Sequence, residues 1–287
     1  MVTWAFRAVW ASLPFAAAPA LAQVFSDASR AVQLVGSAGL WLGWIVVLTA
    51  SLVPTTISLT VVRLVSPCAV VAAFVSSTRR ASSIAIVSAV LVAIVAVSLA
   101  YSAEFGGVFV QGSAYGDETR FLLRPPGPLV VGPLPLGWAL AATAIISGPL
   151  LLAARSYVLG AAVTAFGVAL TWIFGRRCHR LARRFLVLVP VGIVVHDHLV
   201  LSDTSMFRKS DVASVGLALD KTEAADLTGK ALGNAVEIAL KDFDTVVLAG
   251  TPKKPGGTAL HVLSVLVSPS RPGRVLTEAA RRGHAVR

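Results

Sequence analysis

Two histidines spaced to share one face of a strand, His196 and His198, come closest in this chain to a metal-ligand motif. Alternate strand residues point the same way, so both imidazoles can reach one ion. Such a site needs at least a third ligand, and the sequence offers His261 and Asp203. Without one, the pair reads as two polar groups flanking Asp197 in a turn. Asp117-Glu118 can bind a cation or simply be solvated.

Arg63 lies inside a long apolar run, and a guanidinium at that depth is costly unless it finds a partner or snorkels to the interface. Glu104 and the loop 102–133 are the groups through which it would form an intramembrane site. Such a site would suit a transporter-like protein or a component of a membrane-embedded enzyme. No phosphate-binding glycine loop, nucleophile elbow, zinc-protease helix or paired-cysteine motif occurs, and no cofactor is called for. A non-enzymatic role is the expectation.

Cationic chemistry is better supplied. The stretch 176–184 places Arg176, Arg177, Arg180, Arg183 and Arg184 within nine residues. If the chain stays helical there, Arg176, Arg180 and Arg183 or Arg184 recur on one stripe. Each can attract an anionic leaflet by about 1 kcal/mol. These five arginines are the expected lipid-headgroup contacts.

The elements that carry these residues follow from hydropathy. The 287 residues are 56% apolar and only 14% charged, with a mean hydropathy of +0.79. Residues 1–175 hold eight Lys/Arg and four Asp/Glu, and the remaining seventeen and ten lie beyond. Residues 185–287 carry twelve basic and ten acidic groups, so the net charge of +11 is concentrated at the girdle and between apolar runs. Lipid headgroups, not nucleic acid, are the polyanion this distribution fits. Cys68 and Cys178 are too few for a disulfide framework, a bond between them would demand close approach at one membrane face, and two free thiols are expected.

Residues 1–31 admit two readings. Arg7, the apolar run Ala8–Phe15 and the Ala20-Leu21-Ala22 triplet resemble a secretory signal, whereas Trp4, Phe6 and Trp10 suit an interfacial helix. Residues 32–175 then form a polytopic transmembrane domain. Its five spans are Val32–Val53, Ile57–Ser77, Ser82–Tyr101, Leu134–Ala154 and Tyr157–Phe174, each close to the roughly 17–25 residues a bilayer requires. Ser66-Pro67 and Gly148-Pro149 should kink their helices. In the loop 102–133, Phe121–Leu123 has the composition of a short strand.

Residues 185–287 read as a small, mostly β domain of six or seven strands. Phe185–Val189 and Gly192–Val195 flank Pro190, and Asp242-Phe243-Asp244 has the look of a hairpin turn. The domain closes with a short cationic helix, Val275–Arg282, whose apolar pair would be Leu276 and Ala280. The expected fold is therefore an α-helical transmembrane bundle followed by a β-rich soluble domain with a C-terminal helix.

With five spans, the girdle shares a side with Arg120 and Arg124, seven arginines against the five of Arg7, Arg30, Arg79, Arg80 and Arg155. Positive charge favours the cytoplasmic side, which places the soluble domain there and the chain in the plasma (inner) membrane.

The stretch from Leu181 to His198, Met206-Phe-Arg-Lys-Ser-Asp-Val212, and the loop from Tyr115 to Pro128 together resemble a family of uncharacterised polytopic membrane proteins of high-GC actinobacteria. The resemblance covers most of the chain and implies no activity. The strand-rich tail with its closing helix is also similar to bacterial pleckstrin-homology-like (PH-like) domains beside membrane spans. That similarity implies a scaffold for lipid or protein contact and carries over no residue roles. The expected function is interaction with anionic lipids, or with membrane or cytoplasmic proteins, at the inner leaflet.

Overall fold

In the computed structural model, which describes residues 1–21, 24–76, 82–219, 222–250 and 256–287, the chain divides into two compact units. One comprises Met1–Phe109 and Pro135–His179, and the other Val110–Leu134 and Arg180–Arg287. Arg79-Arg80, Lys253-Lys254 and the last residue of the Ala20–Ala22 triplet lie outside the described residues.

The first unit is helical. Its helices are α1 (Val2–Leu21), α2 (Arg30–Leu52), α3 (Thr56–Val65), α4 (Pro67–Ser76) and α5 (Ser83–Tyr101), followed by most of α6 (Ala103–Gln111). The chain then passes through β1 (Thr119–Leu122) and α7 (Gly127–Val131), and returns with α8 (Pro133–Ala153) and α9 (Tyr157–Ala182). Five helical segments are long and apolar enough to cross a membrane: Arg30–Leu52, Thr56–Ser76, Ser83–Tyr101, Gly127–Ala153 and Tyr157–Ala182. In lipid a helix satisfies every backbone group internally, which is why these runs fold as they do. Their outward side chains, among them Leu42, Leu91 and Phe166, are apolar and exposed. Cys68 and Cys178 are free thiols.

Proline breaks the second span between α3 and α4. Pro67 has no N–H to offer the carbonyl of Arg63 four residues earlier. The Tyr101 hydroxyl donates to that carbonyl instead, at 2.7 Å. Helix α8, by contrast, runs through Pro149 without interruption.

Helix α1 is part of this bundle. It runs antiparallel to α2, with Arg7 donating to Ser51 O at 2.7 Å and the Trp10 and Trp44 indoles each donating to the other's backbone carbonyl. Phe6 packs edge-on against Phe105 at 4.9 Å, while Ser88 donates to Ala16 O at the other end. Ala17 and Ala20 close on Ala73 and Ala89.

Helices α8 and α9 form a tight hairpin. Arg155 turns the corner with φ 66°, and Ser156 N–H reaches back to Leu151 O. A Cβ on Gly148 would come within 2.7 Å of Thr164 Cα, and one on Gly167 within 2.7 Å of the Ala144 carbonyl carbon. Small residues let the two backbones approach in the absence of a hydrophobic drive between helices.

The second unit holds two antiparallel-based sheets and a closing helix. After β1 come β2 (Phe185–Val189), β3 (Gly192–His196), β4 (Ser205–Arg208), β5 (Val212–Leu217), β6 (Ala225–Asp226), β7 (Val236–Leu248), β8 (Thr258–Val267) and α10 (Pro272–Arg281). The sheet orders are β1-β2-β3-β4 and β5-β7-β8-β6. Strand β1 comes from the segment between the third and fourth spans, so that segment belongs from Val110 onward to the second unit and supplies an edge strand. Thr119 stands opposite Leu188 and Leu122 opposite Phe185.

Alternation along the strands sends Leu186, Leu188, Ile193, Val195, Phe207, Val215, Ile238, Val265 and Val267 into one shared core. Helix α10 covers it with Val275 and Ala279, one residue earlier than the Leu276–Ala280 pair expected from sequence; Ala280 is exposed. Asp242-Phe243-Asp244 is likewise not a hairpin turn. It bulges within one long strand, β7, because β8 is long enough to pair with the residues on both sides of it.

Candidate functional site

Helix α9 continues through the basic girdle to Ala182, two turns beyond the Phe174 limit set by hydropathy. Arg176, Arg177 and Arg180 therefore project from a regular helix, and Arg183 follows immediately after it. All four are exposed, and among the described residues none has an ion-pair partner. Arg176 lies over the Trp172 ring, 5.7 Å from its centre. Arg176, Arg180 and Arg183 recur at i, i+4 and i+7, the spacing of one helical stripe.

Arg184 departs from this set. Its side chain is 0% exposed and pairs with Asp197, also 0% exposed, through Nε to Oδ1 at 2.7 Å and Nη2 to Oδ2 at 2.5 Å. Its Nη1 donates to Arg124 O at 2.8 Å. The expected headgroup contact at Arg184 is thus replaced by a structural ion pair. The reason is alternation: Arg184 shares the buried face of Leu186 and Leu188, opposite to that of Phe185.

The antiparallel register of β2 and β3 sets Phe185 against His196. One residue beyond that pair on each side, Arg184 and Asp197 meet in the ion pair. A row of rings and cations results on the sheet's outer face. Arg120 lies over Phe185 at 5.0 Å, Phe185 stacks on His196 at 4.8 Å, and His196 meets His198 edge-on at 5.7 Å. His196 Nδ1 shares a 2.9 Å hydrogen bond with the Thr204 hydroxyl.

Both imidazoles titrate below their ordinary range. For His196 the main cause is partial burial, followed by the charges of His198 and Arg183. For His198 it is again partial burial, then Arg180, with Arg183 and Arg184 adding to it and Asp197 opposing. Both rings are therefore neutral near pH 7 and become cationic at lower pH.

These two histidines acquire no third ligand. His261 is bonded to Thr245 at 2.9 Å across β7 and β8, and Asp203 is exposed. Among the described residues no three His, Cys, Asp or Glu side chains gather closely enough for a metal ion. Asp117 and Glu118 serve as structural anchors: Glu118 pairs with Arg120 at 2.5 Å and Asp117 with Arg282 at 3.0 Å.

Within the helical unit Arg63 caps a helix. Its Nε donates to Ala100 O at 3.1 Å, near the C-terminus of α5, where carbonyls lack helical partners, and its guanidinium lies 5.5 Å from the Tyr101 ring centre. Glu104 is exposed in the first turn of α6, where a carboxylate suits the helix dipole. No family model, curated protein or solved structure matches the chain.

The Arg184–Asp197 pair and the Arg120–Phe185–His196–His198 row were not singled out from the sequence. A signal for both was present. Once Phe185–Val189 and Gly192–Val195 are joined by a two-residue turn, the register follows, and every cross-strand partner with it.

Proposed function

We propose that this integral membrane protein uses its β-rich unit as a non-enzymatic interaction module at the membrane surface, contacting anionic lipid headgroups. The observation that carries the proposal is the set of exposed guanidiniums of Arg176, Arg177, Arg180 and Arg183 where the last span ends, none with an ion-pair partner among the described residues. Each is placed to gain about 1 kcal/mol from an anionic leaflet. Two sheets closed by a C-terminal helix support a PH-like reading of the fold. The arginine distribution favours the cytoplasmic leaflet of the plasma membrane as the working surface. Further partners on this reading are membrane or cytoplasmic proteins brought to the same surface.

The test is native mass spectrometry of the full chain released from bilayers of equal phosphatidylglycerol and phosphatidylcholine. Anionic lipid should be enriched on the protein, and a variant with glutamine at all four positions should lose the enrichment. Equal retention of both lipids by the wild type would rule the proposal out.

A further inference from the structure

We infer that Arg180, Arg183, His196 and His198 form a binding site for an anionic phosphodiester headgroup, and that its affinity rises as the pH falls. The inference rests on the lipid-contact reading above and adds a defined site and its regulation.

Geometry supplies the argument. The β2–β3 register sets His196 opposite Phe185, the His196 ring meets that of His198 at 5.7 Å, and Arg183 stands two residues before Phe185. The Arg184–Asp197 pair locks that register at the point where helix gives way to strand. Arg180 is one turn before Arg183, whose N–H reaches back to the Arg180 carbonyl. Two permanent cations and two titratable ones thus border the same helix exit.

The remaining charges that face the histidines are committed. Arg120 is held by Glu118, and Arg184 and Asp197 neutralise each other out of solvent. Thr204 fixes His196 by its ring nitrogen Nδ1. The ligand oxygens are therefore left to Arg180, Arg183 and the free ring edges.

A phosphodiester keeps one negative charge throughout the range in which imidazoles titrate, so the pH response belongs to the protein. Partial burial first, and then neighbouring cations (His198 and Arg183 for His196, Arg180 and Arg183 for His198), oppose protonation of the rings in the free site. A bound anion offsets the charge part of that penalty. By linkage, an anion that favours the imidazolium must itself bind more tightly when the imidazolium forms. One added charge at a headgroup contact corresponds to about a fivefold gain in affinity.

The full chain in zwitterionic detergent is titrated with short-chain phosphatidylglycerol at about pH 7.5 and about pH 5.5, bracketing the imidazole range. Glycerophosphoglycerol, the same headgroup without acyl chains, is run alongside. Affinity for the lipid should rise about fivefold or more at the lower pH. His196→Gln/His198→Gln should flatten the ratio of the two affinities, and Arg180→Gln/Arg183→Gln should weaken binding at both. An equal response to the free headgroup would assign recognition to the phosphate itself, and a response only to the lipid would assign it to headgroup and chains together.

A preference for anionic lipid that does not change with pH would overturn this inference and leave the proposed function standing. No preference at either pH would overturn both. Should the double histidine variant fail to fold, NMR titration of the wild-type histidines decides. Added phosphatidylglycerol should raise the titration of His196 and His198, and unchanged midpoints would refute the site.

Discussion

The guanidinium of Arg184 and the carboxylate of Asp197 meet in a two-point ion pair with no solvent exposure, at the junction where helix α9 gives way to strand β2. Asp197 Oδ1 also accepts the Leu199 N–H at 3.2 Å, so the pair fixes the corner that follows β3. Removing one member leaves a buried charge without compensation, which typically costs about 3–5 kcal/mol. Asp197→Asn and Arg184→Gln should each lower stability in urea unfolding of the full chain by that order. Arg184→Met/Asp197→Leu together should cost less than either single change, because no charge is then stranded. A pair of single variants that unfold like the wild type would show that the interaction is not structural.

Helix α1 runs from Phe6, packed against Phe105 just past the end of α5, to Ala16, bonded to Ser88 near the start of α5. It therefore passes through the same depth as a span, and its 20 residues at 1.5 Å each match a hydrocarbon core of about 30 Å. Two outcomes follow. The mature chain should retain residues 1–21, since removing them would uncover Trp44 and the alanine faces of α4 and α5. Residue 1 should also lie on the same side as residue 287, with Arg7 joining the girdle on that side. Paired reporters at the two ends, one active only inside and one only outside, check this, and opposite sides would exclude a crossing by α1.

Hydropathy marked the membrane spans well because lipid permits so little else: Val32–Val53 and Ser82–Tyr101 differ from the observed Arg30–Leu52 and Ser83–Tyr101 by one or two residues at an end. The runs on either side of Pro190 were equally plain: Phe185–Val189 is β2, and Gly192–Val195 stops one residue short of β3. What escaped depended on distant partners. Asp242–Asp244 resembles a turn until β8 is seen to pair on both sides of it. Arg184 resembles its girdle neighbours until the register supplies Asp197. The loop 102–133 shows one short apolar run, and only its pairing with β2 makes that run an edge of the second unit.

Gly148 tests the packing of α8 on α9. A side chain there would press on the Thr164 hydroxyl and on Thr164 backbone atoms at 2.7 Å, and the backbone contacts no rotamer change relieves. Gly39 in α2 has nothing within 4 Å of a built Cβ. Gly148→Val should therefore sharply reduce the yield of folded, monodisperse protein in detergent, with Gly39→Val close to wild type. Size-exclusion profiles of the two variants give the answer, and equal behaviour would mean that α8 and α9 do not need close approach.

Glu278 ties helix α10 to the edge strand drawn from the membrane loop. Its Oε1 accepts from Arg281 at 2.6 Å, Arg282 at 2.7 Å and the Thr119 hydroxyl at 3.0 Å, and Arg282 also reaches Asp117. The hydrogen bond from Arg281 above all, helped by those from Arg282 and Thr119, outweighs partial burial and lowers the carboxyl from 4.5 to about 2. A group whose titration is lowered by folding stabilises the fold above its unfolded value, and that contribution is lost as the pH falls towards the folded one. The link between β1 and α10 should thus be intact above about pH 4.5 and weaken progressively towards pH 2. Hydrogen exchange at Thr119–Leu122 should accelerate beyond its intrinsic pH dependence across that window. In Glu278→Gln the neutral amide cannot titrate, so exchange there should be faster at neutral pH and lack the acid-dependent step. An identical acid profile in wild type and variant would show that another carboxylate controls the attachment of β1.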